Sequence, residues 1–190
     1  MTPPVEADWH VDAAGWLVGC ARVASPNHDS RPAGEAIRLI VIHAISLPPG
    51  QFGGAAVVEF FTNRLDPAAH PYFATLAGQR VSAHFFIRRD GAVTQFVSCH
   101  ERAWHAGRSC WRGRERCNDF SLGIELEGAD HSDFAVAQYR TLSRLLTALQ
   151  RHSPGAAIAG HADIAPGRKT DPGPHFDWSR VASPQRALLG

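Results

Sequence analysis

The sequence predicts a mixed α/β fold, a central mixed β-sheet flanked by helices, and three segments predict it. Residues 38–42 carry the apolar run Leu39-Ile40-Val41-Ile42, which suits a central strand covered on both faces. Residues 82–88 and 92–97 flank Arg89-Asp90-Gly91, and an Asp-Gly pair between two apolar runs is a strong hairpin signal. Beyond Asp133, the residues Val136, Tyr139, Leu142, Leu145, Leu146 and Leu149 recur at three- and four-residue steps, the period of an amphipathic helix. Strands interleaved with helices, plus one hairpin, give a sheet of mixed direction.

The remaining elements follow in order. Residues 1–36 hold Pro3, Pro4, Pro26 and Pro32, so a brief helix around Trp16-Leu17-Val18 and an irregular lead-in are expected. His43 is placed at the exit of the first strand, where sites tend to be built. A Pro/Gly-rich loop over 47–54 precedes a helix over 55–65, and His70-Pro71-Tyr72-Phe73 reads as a loop. Residues 101–119 are rich in Gly, Arg and Trp, lack a period and are long for a connection, which favours a binding loop. Residues 121–127 alternate, Leu122, Ile124 and Leu126 facing one way and Gly123, Glu125 and Glu127 the other. Asp133 is the expected cap of the long helix, which runs to about His152, and residues 156–159 form a last, weak strand leading to His161. No repeat or linker divides the chain, so one domain over 1–190 is expected, with its core at about 15–180.

Composition narrows the function. A chain of 190 residues is long enough to bury roughly 70% of its unfolded surface without a metal or disulfide. With 44% hydrophobic and 19% charged residues and no long apolar span, it reads as a soluble globular protein with no membrane segment. A net charge of +1 and scattered basic residues argue against a nucleic-acid partner. The first ten residues lack the basic start and apolar core of a secretory signal, so the expected location is the cytoplasm. Cys20, Cys99, Cys110 and Cys117 follow no metal-knuckle spacing and read as reduced thiols, with a Cys110/Cys117 pairing as the alternative.

A hydrolytic zinc site takes three protein ligands and leaves one position open. His43, leaving one strand, and His161, leaving another, with Asp171 after a Gly/Pro-rich turn, supply such a set. Asp163, two residues beyond His161, is a rival carboxylate, and spacing does not choose between them. Two strand-capping histidines with a turn-forming aspartate account equally well for the pattern, since no compact motif such as HExxH is present. Glu125 is a candidate proton carrier or else part of a solvated strand face shared with Glu127. Lys169 is a candidate for stabilising charge on a carbonyl oxygen, or an ordinary exposed lysine beside Arg168.

Five stretches bear a resemblance that weighs these alternatives. They are His43-Ala44-Ile45-Ser46-Leu47-Pro48-Pro49-Gly50, Ala103-Trp104-His105-Ala106-Gly107, Gly113-Arg114-Glu115-Arg116-Cys117-Asn118-Asp119-Phe120-Ser121, Gly123-Ile124-Glu125-Leu126-Glu127-Gly128, and Gly160 through Pro174. In the same order, from about Gly15 to Trp178, the chain resembles the cytoplasmic anhydro-N-acetylmuramoyl-L-alanine amidases of the type-2 amidase family. The resemblance implies an amidase type 2, peptidoglycan-recognition-like fold. It also implies a Zn2+ ion held by His43, His161 and Asp171, in preference to Asp163, with Glu125 and Lys169 as catalytic groups.

The implied substrate is a small anhydromuropeptide, cut between the muramyl sugar and L-alanine during peptidoglycan recycling, an activity that also limits β-lactamase induction. A muropeptide offers carboxylates and a rigid sugar, which call for guanidinium groups and an aromatic wall. The matching positions are Arg80, Arg116 and Trp104, with His105 in the pocket wall or behind the metal. No obligate protein partner is implied. Ala44 stands where the pattern has asparagine, which bears on preference for the anhydro sugar. The alternatives are an amidase acting on intact peptidoglycan and a non-catalytic peptidoglycan-fragment receptor, which is expected to lack part of the metal set.

Overall fold

The computed structural model describes residues 9–181, so Pro3, Pro4, the first residues read for a signal, and the end of the 1–190 domain lie outside the described residues. The apolar run at 39–42 becomes the middle of the structure: β3 spans Leu39–Ile45 and no residue from Leu39 to Ile42 is exposed. The chain order is β1 (Ala21–Arg22), β2 (His28–Ser30), β3, α1 (Ala56–Phe61), α2 (Pro71–Ala74), β4 (Phe85–Ile87), β5 (Val93–Gln95) and β6 (Glu101–Ala103). There follow β7 (Cys110–Trp111), β8 (Arg114–Glu115), a 3-10 turn (Cys117–Phe120), β9 (Ser121–Glu127), α3 (Val136–His152), β10 (Ala157–Gly160) and α4 (His161–Ile164). Six strands form one sheet in the order β1-β5-β4-β9-β3-β10. β4 and β5 are antiparallel and the other pairs parallel, which is the mixed sheet the pattern predicts. Among the described residues no helix is long and apolar enough to cross a membrane.

Alternation along β3 sends residues to two covered faces. Ile40 and Ile42 pack with Leu122, Ile124 and Leu126 of β9 under Leu142, Leu145, Leu146 and Leu149 of α3. Leu39 and Val41 pack on the other side with Trp111, Cys117 and Phe120. His43 has the parity of Leu39 and Val41, and Glu125 that of Ser121 and Gly123, so both stand on the face away from α3. A smaller cluster joins Val57, Phe60 and Phe61 of α1 to Phe86 and Phe96. Each such side chain contributes roughly 1.5–3 kcal/mol on full burial.

Several elements differ from expectation for identifiable reasons. No helix forms at Trp16-Leu17-Val18; the Asp12 carboxylate accepts from the backbone N–H of Ala14 and Trp16, and Gly15 at φ +81° completes a turn. The helix expected over 55–65 stops at Phe61, with Asn63 left-handed at φ +60° just beyond. His70–Phe73 is not a loop but the start of α2: the His70 ring accepts from Tyr72 N–H at 3.0 Å and Pro71 opens the helix, where its missing N–H costs nothing. β3 runs past His43, which lies inside the strand rather than at its exit. The long segment 101–119 contains β6, the β7–β8 hairpin and part of the 3-10 turn. The four cysteines are free thiols, Cys117 buried and Cys110 exposed.

α3 is not capped by Asp133, which pairs instead with His175 at 2.7 Å. Gln138 does that work: its oxygen accepts from Ala135 N–H at 3.0 Å, and its nitrogen donates to the carbonyls of Ile87 (3.2 Å) and Glu127 (3.0 Å). This fully buried amide therefore ties the helix start to the ends of β4 and β9. Gln138→Ala leaves two buried carbonyls unpaired and is expected to lower stability by about 2–3 kcal/mol in denaturant unfolding; an unchanged midpoint would refute this role.

Candidate metal centre and active site

Parallel pairing of β9, β3 and β10 brings their C-terminal ends together, the place where open α/β sheets build ligand sites. His43 on β3 is directly opposite Glu125 on β9, and Ile42 is opposite Gly160, the residue before His161. The segment 165–171 returns to this edge because the Asp171 carbonyl accepts from Ala162 N–H at 2.9 Å.

His43 Nδ1 lies 2.9 Å from His161 Nδ1, and each is 3.1 Å from Asp171 Oδ2. Protons alone serve this triangle poorly, since any hydrogen on one nitrogen leaves the other facing a lone pair. One cation satisfies all three, and ligand atoms about 2.0–2.1 Å from a tetrahedral zinc ion stand about 3.3 Å apart. The donor set therefore fits a divalent metal, and these three residues form a potential metal-binding cluster among the described residues. Burial pulls the His43 imidazole down to about 4, against the opposing effect of Asp171, so it is neutral at pH 7, the form that can bind a metal. Burial alone would raise the Asp171 carboxyl, but hydrogen bonding to His161 and His43 outweighs it and holds the group well below the usual carboxylate range.

The rival Asp163 is turned away: its Oδ2 accepts from Gly160 N–H at 2.7 Å and closes the first turn of α4. Glu125 points to the site from a half-buried position on its strand, so the solvated face once open to it and Glu127 does not form. Glu127 is buried and accepts from the backbone N–H of Gly53 and Arg89. Burial, and then the nearby Asp171 charge, push the Glu125 carboxyl well above its ordinary pKa, with Lys169 acting the other way. Glu125 Oε2 is buried without a hydrogen-bond partner.

These groups open onto a cavity of about 600 Å³. Glu125, His161, Lys169 and Asp171 line it together with Trp104 and His105. Leu47, Phe60, Phe61, Tyr72, Leu76 and Val81 supply an apolar side. The size and the mix of an apolar wall with a few convergent polar groups suit a small organic ligand.

A family model described as N-acetylmuramoyl-L-alanine amidase matches residues 33–174, which include the whole of this constellation. The chain belongs to this amidase family. It is 56% identical over 168 residues to the Escherichia coli K12 1,6-anhydro-N-acetylmuramyl-L-alanine amidase AmpD, covering 87% of this chain and 92% of that protein. It superposes on a crystal structure of AmpD with TM-score 0.87 at 54% identity, covering 88% of this chain and 95% of that one. It also matches E. coli AmiD in complex with anhydro-N-acetylmuramic acid-L-Ala-D-gamma-Glu-L-Lys, with TM-score 0.56 at 30% identity, covering 93% of this chain and 65% of that one. The fold is thus that of the type-2 amidases, and the protein is an N-acetylmuramoyl-L-alanine amidase.

Of the residues singled out in the sequence, the structure brings His161, Asp171, Glu125, Lys169, Trp104 and His105 to the lining of one cavity, and joins His43 to His161 and Asp171 in one cluster. Trp104 is fixed by its indole N–H, which donates to Asp29 at 3.0 Å. Arg80 does not line that cavity; it borders an adjoining hollow of about 250 Å³ that shares Phe60, Leu76 and Gln79. Arg116 is 71% exposed and paired with Asp119 at 3.2 Å, away from the cavity lining. The sequence reading missed the wall contributed by Tyr72 of α2 and by Leu76 just beyond that helix, although the His-Pro pair that starts it was available as a signal. Asp171→Ala is expected to lose most bound metal and Asp163→Ala to keep it, as read by metal analysis of purified protein; full occupancy in Asp171→Ala would reverse the choice of carboxylate.

Proposed function

We propose that this amidase hydrolyses the amide bond between 1,6-anhydro-N-acetylmuramic acid and L-alanine in muropeptides, using Zn2+, in the cytoplasm, as a step of peptidoglycan recycling. The observation that carries the reading is the 3 Å triangle of two imidazole nitrogens and a carboxylate oxygen, near a Glu125 carboxyl whose Oε2 has no hydrogen-bond partner, in a chain about 55% identical to AmpD. In this reading the whole chain acts as one amidase domain, with its working core at about 15–180.

His43 Nδ1, His161 Nδ1 and Asp171 Oδ2 are the proposed ligands. Zinc, when bound, supplies a Lewis acid that polarises a carbonyl and lowers the pKa of water to about 7. Glu125 takes a proton from the attacking water and delivers it to the departing L-alanine nitrogen; its raised pKa lets it hold that proton between the two transfers. The Lys169 ammonium, which lines the same cavity, stabilises negative charge on the carbonyl oxygen. Water's oxygen ends on the acyl carbon and the C–N bond breaks, giving a muramyl carboxylic acid and a peptide amine, with no covalent enzyme intermediate.

Trp104, Tyr72 and the phenylalanines pack against the sugar and its lactyl arm. Arg80, at the adjoining hollow, is placed for a peptide carboxylate, whereas Arg116 must leave Asp119 to serve one. Ala44 borders the cavity where the family pattern has an amide, and its methyl group packs toward the core under α3, so a polar group near the sugar is lost. That position keeps a second reading in view, an amidase that also accepts intact peptidoglycan.

Mass spectrometry of the zinc-loaded protein with anhydromuramyl-tripeptide and, separately, intact murein decides between them. Peptide release from the soluble fragment alone is expected; release from both supports the broader amidase, and release from neither sinks the hydrolase reading in favour of a receptor. Glu125→Gln is expected to keep zinc and lower kcat by about 10²–10⁴-fold. Lys169→Ala is expected to keep zinc and lose about 10²–10³-fold in kcat, and a variant turning over at the parental rate would remove the charge-stabilising role.

A further inference from the structure

The run Arg114-Glu115-Arg116-Cys117-Asn118-Asp119 contributes no side chain to the cavity lining, yet one of its members sits behind both metal-facing imidazoles. His43 and His161 each turn Nδ1 inward, so their Nε2 atoms face outward, and the two partners they find there are consecutive in the chain. His43 Nε2 is 2.9 Å from His105 Nδ1, and His161 Nε2 is 3.1 Å from the Ala106 carbonyl oxygen. The backbone N–H groups of these same two residues, His105 and Ala106, both donate to Asn118 Oδ1, at 3.2 and 2.8 Å.

Chemistry fixes the direction of these bonds. An imidazole whose Nδ1 lone pair faces a cation carries its proton on Nε2, so His43 donates to His105 Nδ1 and His161 donates to the Ala106 carbonyl. His105 must then carry its own proton on Nε2, which is 3.2 Å from Ser121 Oγ and donates to it. The His105 ring cannot move back from His43, because it lies against β9 so closely that a Cβ on Gly123 would come within 2.5 Å of it. The Ala106 carbonyl is held from the other side by Arg168, which donates to it at 2.6 Å. Asn118 is itself anchored, since the half-buried Arg31 guanidinium donates to the carbonyls of Asn118, Asp119 and Ser121 at 3.0, 3.1 and 2.8 Å.

We infer that Asn118 is a positioning residue for the metal centre, a single acceptor oxygen that sets the place of His105 and Ala106 and through them the tautomer and aim of both histidine ligands. The inference rests on the metal-site reading above and adds to it a residue that touches neither metal nor substrate. Partners behind metal-bound histidines typically change metal affinity by about 10–100-fold when removed.

Zinc affinity of the full chain, measured by chelator competition after metal removal, tests this. Asn118→Ala is expected to bind zinc about 10–100-fold more weakly than the parent, with little change in the unfolding midpoint of the metal-free protein. Asn118→Asp, which keeps an acceptor oxygen, is expected to recover most of the affinity. A parent that binds zinc and an Asn118→Ala variant that binds it equally well overturn the inference alone, as does a loss of stability with no change in zinc affinity. A parent that binds no zinc overturns the metal reading and this inference with it. If Asn118→Ala does not fold, imidazole nitrogen NMR of the zinc-loaded parent decides. His105 is expected to carry its proton on Nε2, and a proton on Nδ1 would overturn the proposed chain of bonds.

Discussion

Two imidazole nitrogens and a carboxylate oxygen held about 3 Å apart in a largely buried place are the constraint around which this structure is organised. Left to protons they are frustrated, because neutral imidazoles and a carboxylate cannot all donate to one another. Keeping them there needs a frame stiffer than side-chain packing, and the parallel ladder of β9, β3 and β10 is that frame. The cost of the arrangement is spread over a sheet whose central strands are covered on both faces.

The same burial that strips water from the site gives its groups opposite characters. His43 and His105 are driven toward the neutral form, Glu125 toward the protonated form, and Asp171 is kept ionised by its two imidazole neighbours against its own desolvation. A carboxyl held in its charged form and one pushed toward its protonated form thus sit close together, one on a loop and one on a strand. What separates them is whether a partner is present: Asp171 has two, and Glu125 Oε2 has none.

Much of this was legible in the sequence, and the exceptions have physical causes. The buried strand, the Asp-Gly hairpin and the leucine-rich helix were readable because each is a local pattern enforced by the backbone. Helix starts were misplaced where a side chain other than Ser, Thr or Asp did the capping, the His70 ring for α2 and the Gln138 amide for α3. Spacing alone left Asp163 and Asp171 level, because choosing between them needs the hydrogen bond that commits Asp163 to Gly160. The family resemblance pointed to Asp171, and the geometry brings that carboxylate to the two imidazoles. The segment 101–119 had no period to read, since its order comes from distant partners such as Arg31 and Asp29 rather than from its own residues.

Because His43 and Glu125 occupy facing rungs of adjacent strands, their separation is dictated by the peptide ladder and not by any surface turn. Insertions or exchanges in the segments over the cavity, such as α2 and its flanks, can therefore remodel what enters without disturbing the spacing of His43 and Glu125. An engineer seeking altered cell-wall specificity has a natural graft boundary here: transplant the rim, and leave the two strands untouched, since slipping either by one residue would turn His43 or Glu125 into the helix-packed side.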